Sequence, residues 1–363
     1  MNCVLFSYGS VTQKLIKKGL TPTKIISFDD SKIDNINVIS VYDLKTNYNN
    51  ETILIPSFIE DDVNVDTIYN KLIAMGFSND LIYFIPIEMI LGESKIEPSK
   101  FYKYGEVNYL DYLEISIVEH CNMNCKGCSH FSNLAPKTMS YFSEYVKDFN
   151  RLKELIPHIF KIRIMGGEPL LNPELSSYIK LIKQIYPYTD LRVVTNGLLI
   201  DKMDDKLIST IVENDVMLDI SVYPPIADKI DVILDNLKKY NIKVFLEKID
   251  SFKPILLEEE EKYSFPMLQN CSCINMKNGF LAPCPLPFTI SYFNDKFNNQ
   301  YDKEIKVINI YDDISGLDIK QQLLVPFELC NYCAHYRDDL PFFSWQQSIK
   351  NQKSTDWVYK RGR

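Results

Sequence analysis

The residues most able to do chemistry in this chain are its cysteines. Nine are present, and eight of them fall into two groups. The first, Cys121-Asn-Met-Asn-Cys125-Lys-Gly-Cys128, lets a single loop wrap three thiols around one metal centre. In a reducing compartment such groups bind metal or react more often than they form disulfides. A cubane iron–sulfur cluster takes four cysteines, so three would leave one iron open to an exogenous ligand. A zinc ion would want a fourth local donor, which His130 could supply. The second group holds Cys271, Cys273, Cys284, Cys330 and Cys333. Four of these suit a closed, electron-carrying cluster or a structural zinc. In an extended strand Cys271 and Cys273 point the same way, and either can serve as a ligand. Cys3 stands alone in an apolar run and reads as a small core hydrophobe.

Such loops need a scaffold. Strand signals at 113–118, 162–165, 191–195, 217–222 and 244–246 alternate with helix signals at 143–155, 173–185, 205–214 and 228–240. The second helix is well marked, with Asn172 as N-cap, Pro173 at the first position, and Leu175, Ile179, Ile182 and Ile185 on one face. This alternation predicts an α/β fold with a parallel sheet, open or curled toward a barrel, and ligands at the C-terminal strand ends. The chemistry-bearing residues stand at those ends. The first cysteine group follows the first strand, flanked by Glu119, His120 and His130. Met165-Gly166-Gly167-Glu168-Pro169 follows the second, Val194-Thr195-Asn196-Gly197 closes the third, Ser221 lies on the fourth and Glu247 ends the fifth. Paired glycines expose backbone groups to a ligand with no Cβ in the way, and Glu168 adds an acceptor for an ammonium. Asn196-Gly197 in isolation would be only a tight turn.

These elements in this order resemble the radical S-adenosyl-L-methionine (SAM) superfamily, whose signature is Cys-x3-Cys-x2-Cys. The resemblance covers roughly residues 110–250 and implies a partial (β/α) barrel with a [4Fe–4S] cluster on Cys121, Cys125 and Cys128. It implies SAM contacts at Gly166, Gly167, Glu168, Thr195, Asn196 and Ser221. Gly127 departs from the pattern, since the family usually has an aromatic residue there that helps seat the adenine; Phe131 and Tyr223 are the candidates to replace it. The second cysteine group resembles a Twitch domain, a shortened SPASM extension holding one auxiliary [4Fe–4S] cluster. That likeness favours Cys273, Cys284, Cys330 and Cys333 as ligands and leaves Cys271 as the substitute.

The implied domains are a Rossmann-like α/β domain at 1–98, the radical SAM core at 108–255, the Twitch-type domain at 256–345 and a polar basic tail at 346–363. In the first, Tyr8-Gly9-Ser10 and the pair Asp29 and Asp30 echo a dinucleotide site, but one glycine stands where three are wanted, so a structural or partner-binding role is expected. That domain resembles the N-terminal domain of sugar acyltransferases in surface-glycan pathways. Together the likenesses imply an oxidoreductase that oxidises or epimerises a sugar, aminosugar or cyclitol, reduced by a flavodoxin or ferredoxin. A peptide maturase is the main rival, and a non-enzymatic iron–sulfur scaffold or redox sensor the second. His120, His130, Glu119 and Glu247 are the candidate acid–base residues. A formal charge of −8 argues against nucleic acid or anionic membrane as partner. With no signal peptide and no apolar stretch able to span a bilayer, a cytoplasmic protein is expected.

Overall fold

The structure, a computed structural model, describes residues 2–6, 9–28, 38–46, 48–57, 65–261, 271, 273–301, 305–335, 337, 339–348 and 352–360. The chain divides into two compact units, Met1–Asp111 and Tyr112–Arg363.

In the first unit, β1 (Cys3–Phe6), α1 (Gly9–Lys17), β2 (Lys24–Ser27), β3 (Val38–Ser40), α2 (Val41–Thr46), β4 (Thr52–Pro56), α3 (Val65–Ala74), β5 (Ile82–Ile85) and α4 (Ile87–Ile90) follow one another. All strand pairs are parallel, and the order β3-β2-β1-β4-β5 is that of a doubly wound sheet. The strands are continuous apolar runs because helices cover them; Cys3, Leu5, Val11, Leu15 and Leu54 are sealed in one core, as expected of Cys3. Tyr8, Asp29 and Asp30 lie outside the described residues.

The second unit is built on five parallel strands with intervening helices: β6 (Tyr109–Ser116), α5 (Phe142–Leu155), β7 (His158–Met165), α6 (Leu175–Ile185), β8 (Asp190–Thr195), α7 (Asp205–Glu213), β9 (Met217–Val222), α8 (Pro224–Ala227), α9 (Ile230–Lys239) and β10 (Lys243–Lys248). The chain continues through β11 (Ser251–Phe252), β12 (Leu256–Leu257), β13 (Asn275–Lys277), β14 (Phe280–Ala282), α10 (Leu286–Phe297), β15 (Ile308–Asn309), α11 (Gly316–Leu323), β16 (Phe343–Ser344) and β17 (Val358–Tyr359). The sheet runs β10-β9-β8-β7-β6-β13-β14-β15. The cysteine-rich segment therefore extends the core's own sheet: β13 pairs parallel with β6, and β14 turns back antiparallel.

Along β7 the pleat separates two environments. Ile162 and Ile164 are fully buried on one face, while Arg163 and Met165 line a cavity on the other. Asn172 caps a turn rather than α6 itself: its Oδ1 accepts from Glu174 N at 2.8 Å, and its Nδ2 donates to Ile117 O at 2.8 Å. The helix α10 starts within a proline-rich stretch, Pro283-Cys284-Pro285-Leu286-Pro287. Pro285 and Pro287 sit at its start, where the missing N–H groups cost nothing. The segment expected as a polar tail is packed: Trp357 is fully buried against Phe131, Phe293 and Leu256. Among the described residues no helix is long and apolar enough to cross a membrane.

Candidate functional site

The loop after β6 carries Cys121, Cys125 and Cys128 into a cavity of about 260 Å3 at the C-terminal ends of β7 to β10. Met165, Gly166 and Gly167, then Thr195 and Asn196, then Ser221 and Glu247, line the same cavity. Asn196 ties the loop to β8, its Nδ2 donating to Asn122 Oδ1 at 2.8 Å and to Cys121 Sγ at 3.4 Å. Burial pushes the thiol of Cys121 up to about 11 and that of Cys125 to about 12. Filling such a site with metal must therefore release protons.

The Gly166-Gly167-Glu168 segment works differently from the expectation. A Cβ on Gly166 would lie 2.2 Å from Val118 O, and one on Gly167 1.9 Å from His120 O. The glycines let β7's end pack directly on the cysteine loop, where Gly167 N donates to Val118 O and Glu168 N to His120 O. Glu168 is fully buried and does not offer its carboxylate to the cavity. It accepts from Thr195 Oγ1 at 2.7 Å, Asn196 N at 2.8 Å and Leu170 N at 3.1 Å. Burial raises its pKa to about 7, against the pull of those three donors. The carboxylate clamps β7 to β8, and only the glycine backbone meets the cavity. Gly167→Ala should consequently cost about 1–3 kcal/mol through overpacking against backbone that cannot yield. A thermal melt would register it as a lower Tm, and an unchanged Tm would contradict the close approach.

A second cavity, about 390 Å3, is lined by Cys271, Cys273, Cys284, Cys330 and Cys333, with His335 beside them. Cys330 and Cys333 are brought together by the short helix Glu328–Tyr332. Cys271 and Cys273 both line this cavity. The Cys271 thiol is near enough to raise the pKa of Cys284, Cys330 and Cys333 alike, on top of their burial, whereas Cys273 is exposed. Among the described residues the strand β13 begins at Asn275, two positions past Cys273. Among the described residues no three His, Cys, Asp or Glu side chains gather around one ion-sized point. Zinc draws thiolates to about 2.3 Å, whereas a cubane takes them at its separate corners.

Residues 115–259 match the radical SAM superfamily model. The chain carries a radical SAM domain. That superfamily binds a [4Fe–4S] cluster and SAM, and the three-thiol loop beside a glycine cradle fits both. The chain is 30% identical over 165 residues to a GTP 3',8-cyclase of Aliarcobacter butzleri (strain RM4018), covering 45% of this chain and 46% of that protein. It is 39% identical over 102 residues to one of Sulfurimonas denitrificans (strain ATCC 33889 / DSM 1251), covering 27% and 31%. The matches thus span less than half the length of these curated relatives. Among solved structures, BtrN in complex with AdoMet and 2-DOIA aligns at 15% identity and TM-score 0.41, over 70% of this chain and 100% of that one. The anSMEcpe structure with bound AdoMet and Cp18Cys peptide aligns at 17% and 0.31, over 39% and 43%.

Of the four candidate acid–base residues, the radical SAM domain brings two to its cavity, His130 and Glu247. Glu119 is instead held by Lys277 Nζ at 2.7 Å and by Tyr292, whose hydroxyl donates to it at 2.7 Å. His120 does not line the cavity, and its Nδ1 is buried with no hydrogen-bond partner among the described residues. His130 Nε2 is likewise buried and unpartnered among them, and burial lowers its pKa. Arg163, also at the cavity, is bound to Asp219 at 2.7 Å. Of the two aromatic candidates, Tyr223 lines the cavity, while Phe131 is sealed in the core beside Trp357. Sequence reasoning missed residues 343, 345–348, 356 and 357, which pack on the cysteine loop. Gly127 was the one signal of them, because a Cβ there would lie 2.7 Å from the Phe343 ring.

Proposed function

We propose that this chain is a radical SAM oxidoreductase that oxidises a sugar, aminosugar or cyclitol. The observation that carries the reading is a shared wall: Ser129 and His130 line both the first cysteine cavity and the second. When bound, SAM with its cluster supplies a 5′-deoxyadenosyl radical that removes a carbon-bound hydrogen atom, and an auxiliary cluster supplies the acceptor for the remaining electron. Adjacency of the two cavities favours net oxidation over epimerisation, and over a scaffold that would have no use for a SAM cradle.

Each part of the chain then has a task. Cys121, Cys125 and Cys128 hold the first cluster, while the backbone at Gly166 and Gly167, with Asn196 and Ser221, binds SAM. Glu168 acts behind them by fixing the strand ends, held by Thr195, which itself lines the cavity. Cys271, Cys284, Cys330 and Cys333 hold the second cluster in a Twitch-type extension of the sheet. Ser132, Asn133, Ser221 and Glu247 give the first cavity a polar lining suited to a polyhydroxylated molecule. The electron source is a small carrier such as a flavodoxin or ferredoxin, and the setting is the cytoplasm, where thiols stay reduced.

His130 takes the hydroxyl proton, because it alone of the four candidates both borders the two cavities and has a buried nitrogen without a partner among the described residues. In His130→Gln, oxidised product should fall about 10²–10⁴-fold, while 5′-deoxyadenosine still forms. Parent-level product would remove His130 from this role.

The reading itself is tested by anaerobic reconstitution, then incubation with SAM, reductant and a panel of sugars, cyclitols, nucleotide sugars, GTP and peptides. Mass spectrometry should find a sugar or cyclitol lighter by two hydrogens. A modified peptide, or a cyclised GTP with its hydrogen count unchanged, would replace the reading with another.

A further inference from the structure

Among the described residues, 346–348 and 356–357 of the C-terminal segment are tied to the first cysteine loop. Lys126 N donates to Gln346 O at 2.9 Å and Ser348 N to Asn124 O at 2.7 Å. Gln347 Nε2 reaches Met123 O at 3.3 Å, and Asn133 Nδ2 bridges Cys125 O at 2.8 Å and Ser348 Oγ at 2.7 Å. Farther on, Lys126 pairs with Asp356 at 3.3 Å and Trp357 Nε1 donates to Cys128 O at 3.0 Å. Gly127 makes the approach possible. Its φ of +70° and the 2.7 Å gap to the Phe343 ring and 2.9 Å to Asp356 O leave no room for a side chain.

Within this strap one contact touches a metal-ligand atom. Trp345 Nε1 donates to Cys125 Sγ at 3.1 Å. The backbone that carries the indole is fixed, since Trp345 N donates to Asp250 O at 2.7 Å and the preceding β16 pairs with β11. An indole N–H can only donate, so its one polar atom is committed to the sulfur.

We infer that Trp345 is a positioning residue that sets the reduction potential of the cluster held on Cys121, Cys125 and Cys128. The inference rests on the proposed function, which places a cluster there. A hydrogen bond to a ligating sulfur stabilises the more negative, reduced cluster and so raises its potential. The strap thus eases the electron uptake that starts the reaction, from a residue 220 positions along the chain.

The test is an anaerobic redox titration of the reconstituted full chain by electron paramagnetic resonance, with the first cluster recognised by the change in its signal when SAM is added. Trp345→Phe keeps a ring but loses the N–H; replacing Trp345 by benzothienylalanine keeps the bicyclic shape and loses only the N–H. At the parent's midpoint both should show the reduced-to-oxidised ratio lowered by about three- to tenfold, tenfold being about 59 mV for one electron. Iron content should stay at the parent value in the isosteric variant. A midpoint equal to the parent's in both variants overturns the inference and leaves Trp345 a packing role, as does lost iron with an unmoved potential in the clusters that remain. A parent protein without any SAM-responsive cluster would instead overturn the proposed function, and this inference with it.

Discussion

Replacing Cys125 or Cys128 by Ala should abolish 5′-deoxyadenosine formation from SAM under every reducing condition. Both thiols line the cavity that the Gly166–Gly167 backbone and Asn196 complete, and a cubane held by two protein ligands would not survive there. Cys333→Ala should do something different. Its thiol lines the other cavity, so SAM cleavage uncoupled from substrate should persist while oxidised product disappears. The comparison requires folded protein, because a cluster also staples the segments that ligate it; circular dichroism and gel filtration establish that first. A folded Cys333→Ala variant making oxidised product at the parent rate would deny the second cluster its electron-accepting role and return the chemistry to an epimerase.

The second large effect separates two cysteines only two positions apart. Cys271→Ala should remove about four of the roughly eight irons of a two-cubane protein, whereas Cys273→Ala should retain them. Cys271 acts electrostatically on all three of the other thiols, and Cys273 is exposed. Iron analysis of the two purified variants gives the answer. The reverse pattern would show that loading the site draws Cys273 inward and expels Cys271.

What was legible in the sequence follows the range of the interaction concerned. The Cys121–Cys128 loop, the glycine pair and the turn at Asn196-Gly197 are local, so spacing alone locates them at strand ends. The alternation of strands and helices through β10 was equally visible, since each element is amphipathic or capped within its own residues. In sequence Glu168 reads as an acceptor for an ammonium, and here its carboxylate accepts from Thr195 and Asn196. Nothing in a Gly-Gly-Glu run says whether the carboxylate turns toward a ligand or, as here, back onto Thr195 and Asn196. Glu119 looked available because its partners, Lys277 and Tyr292, lie more than 150 residues on. The strap was the largest omission. Residues 346–363 are polar in composition, and only the tertiary fold shows that Trp357 is buried and that Trp345 faces a thiol. Gly127, a glycine where the resemblance expects an aromatic ring, carried that information in negative form.

Whether two iron–sulfur clusters sit on the two separate cysteine sets is decided by metal analysis of the anaerobically reconstituted protein. About eight irons per chain with negligible zinc are expected. Stoichiometric zinc with little or no iron would contradict the two-cluster reading.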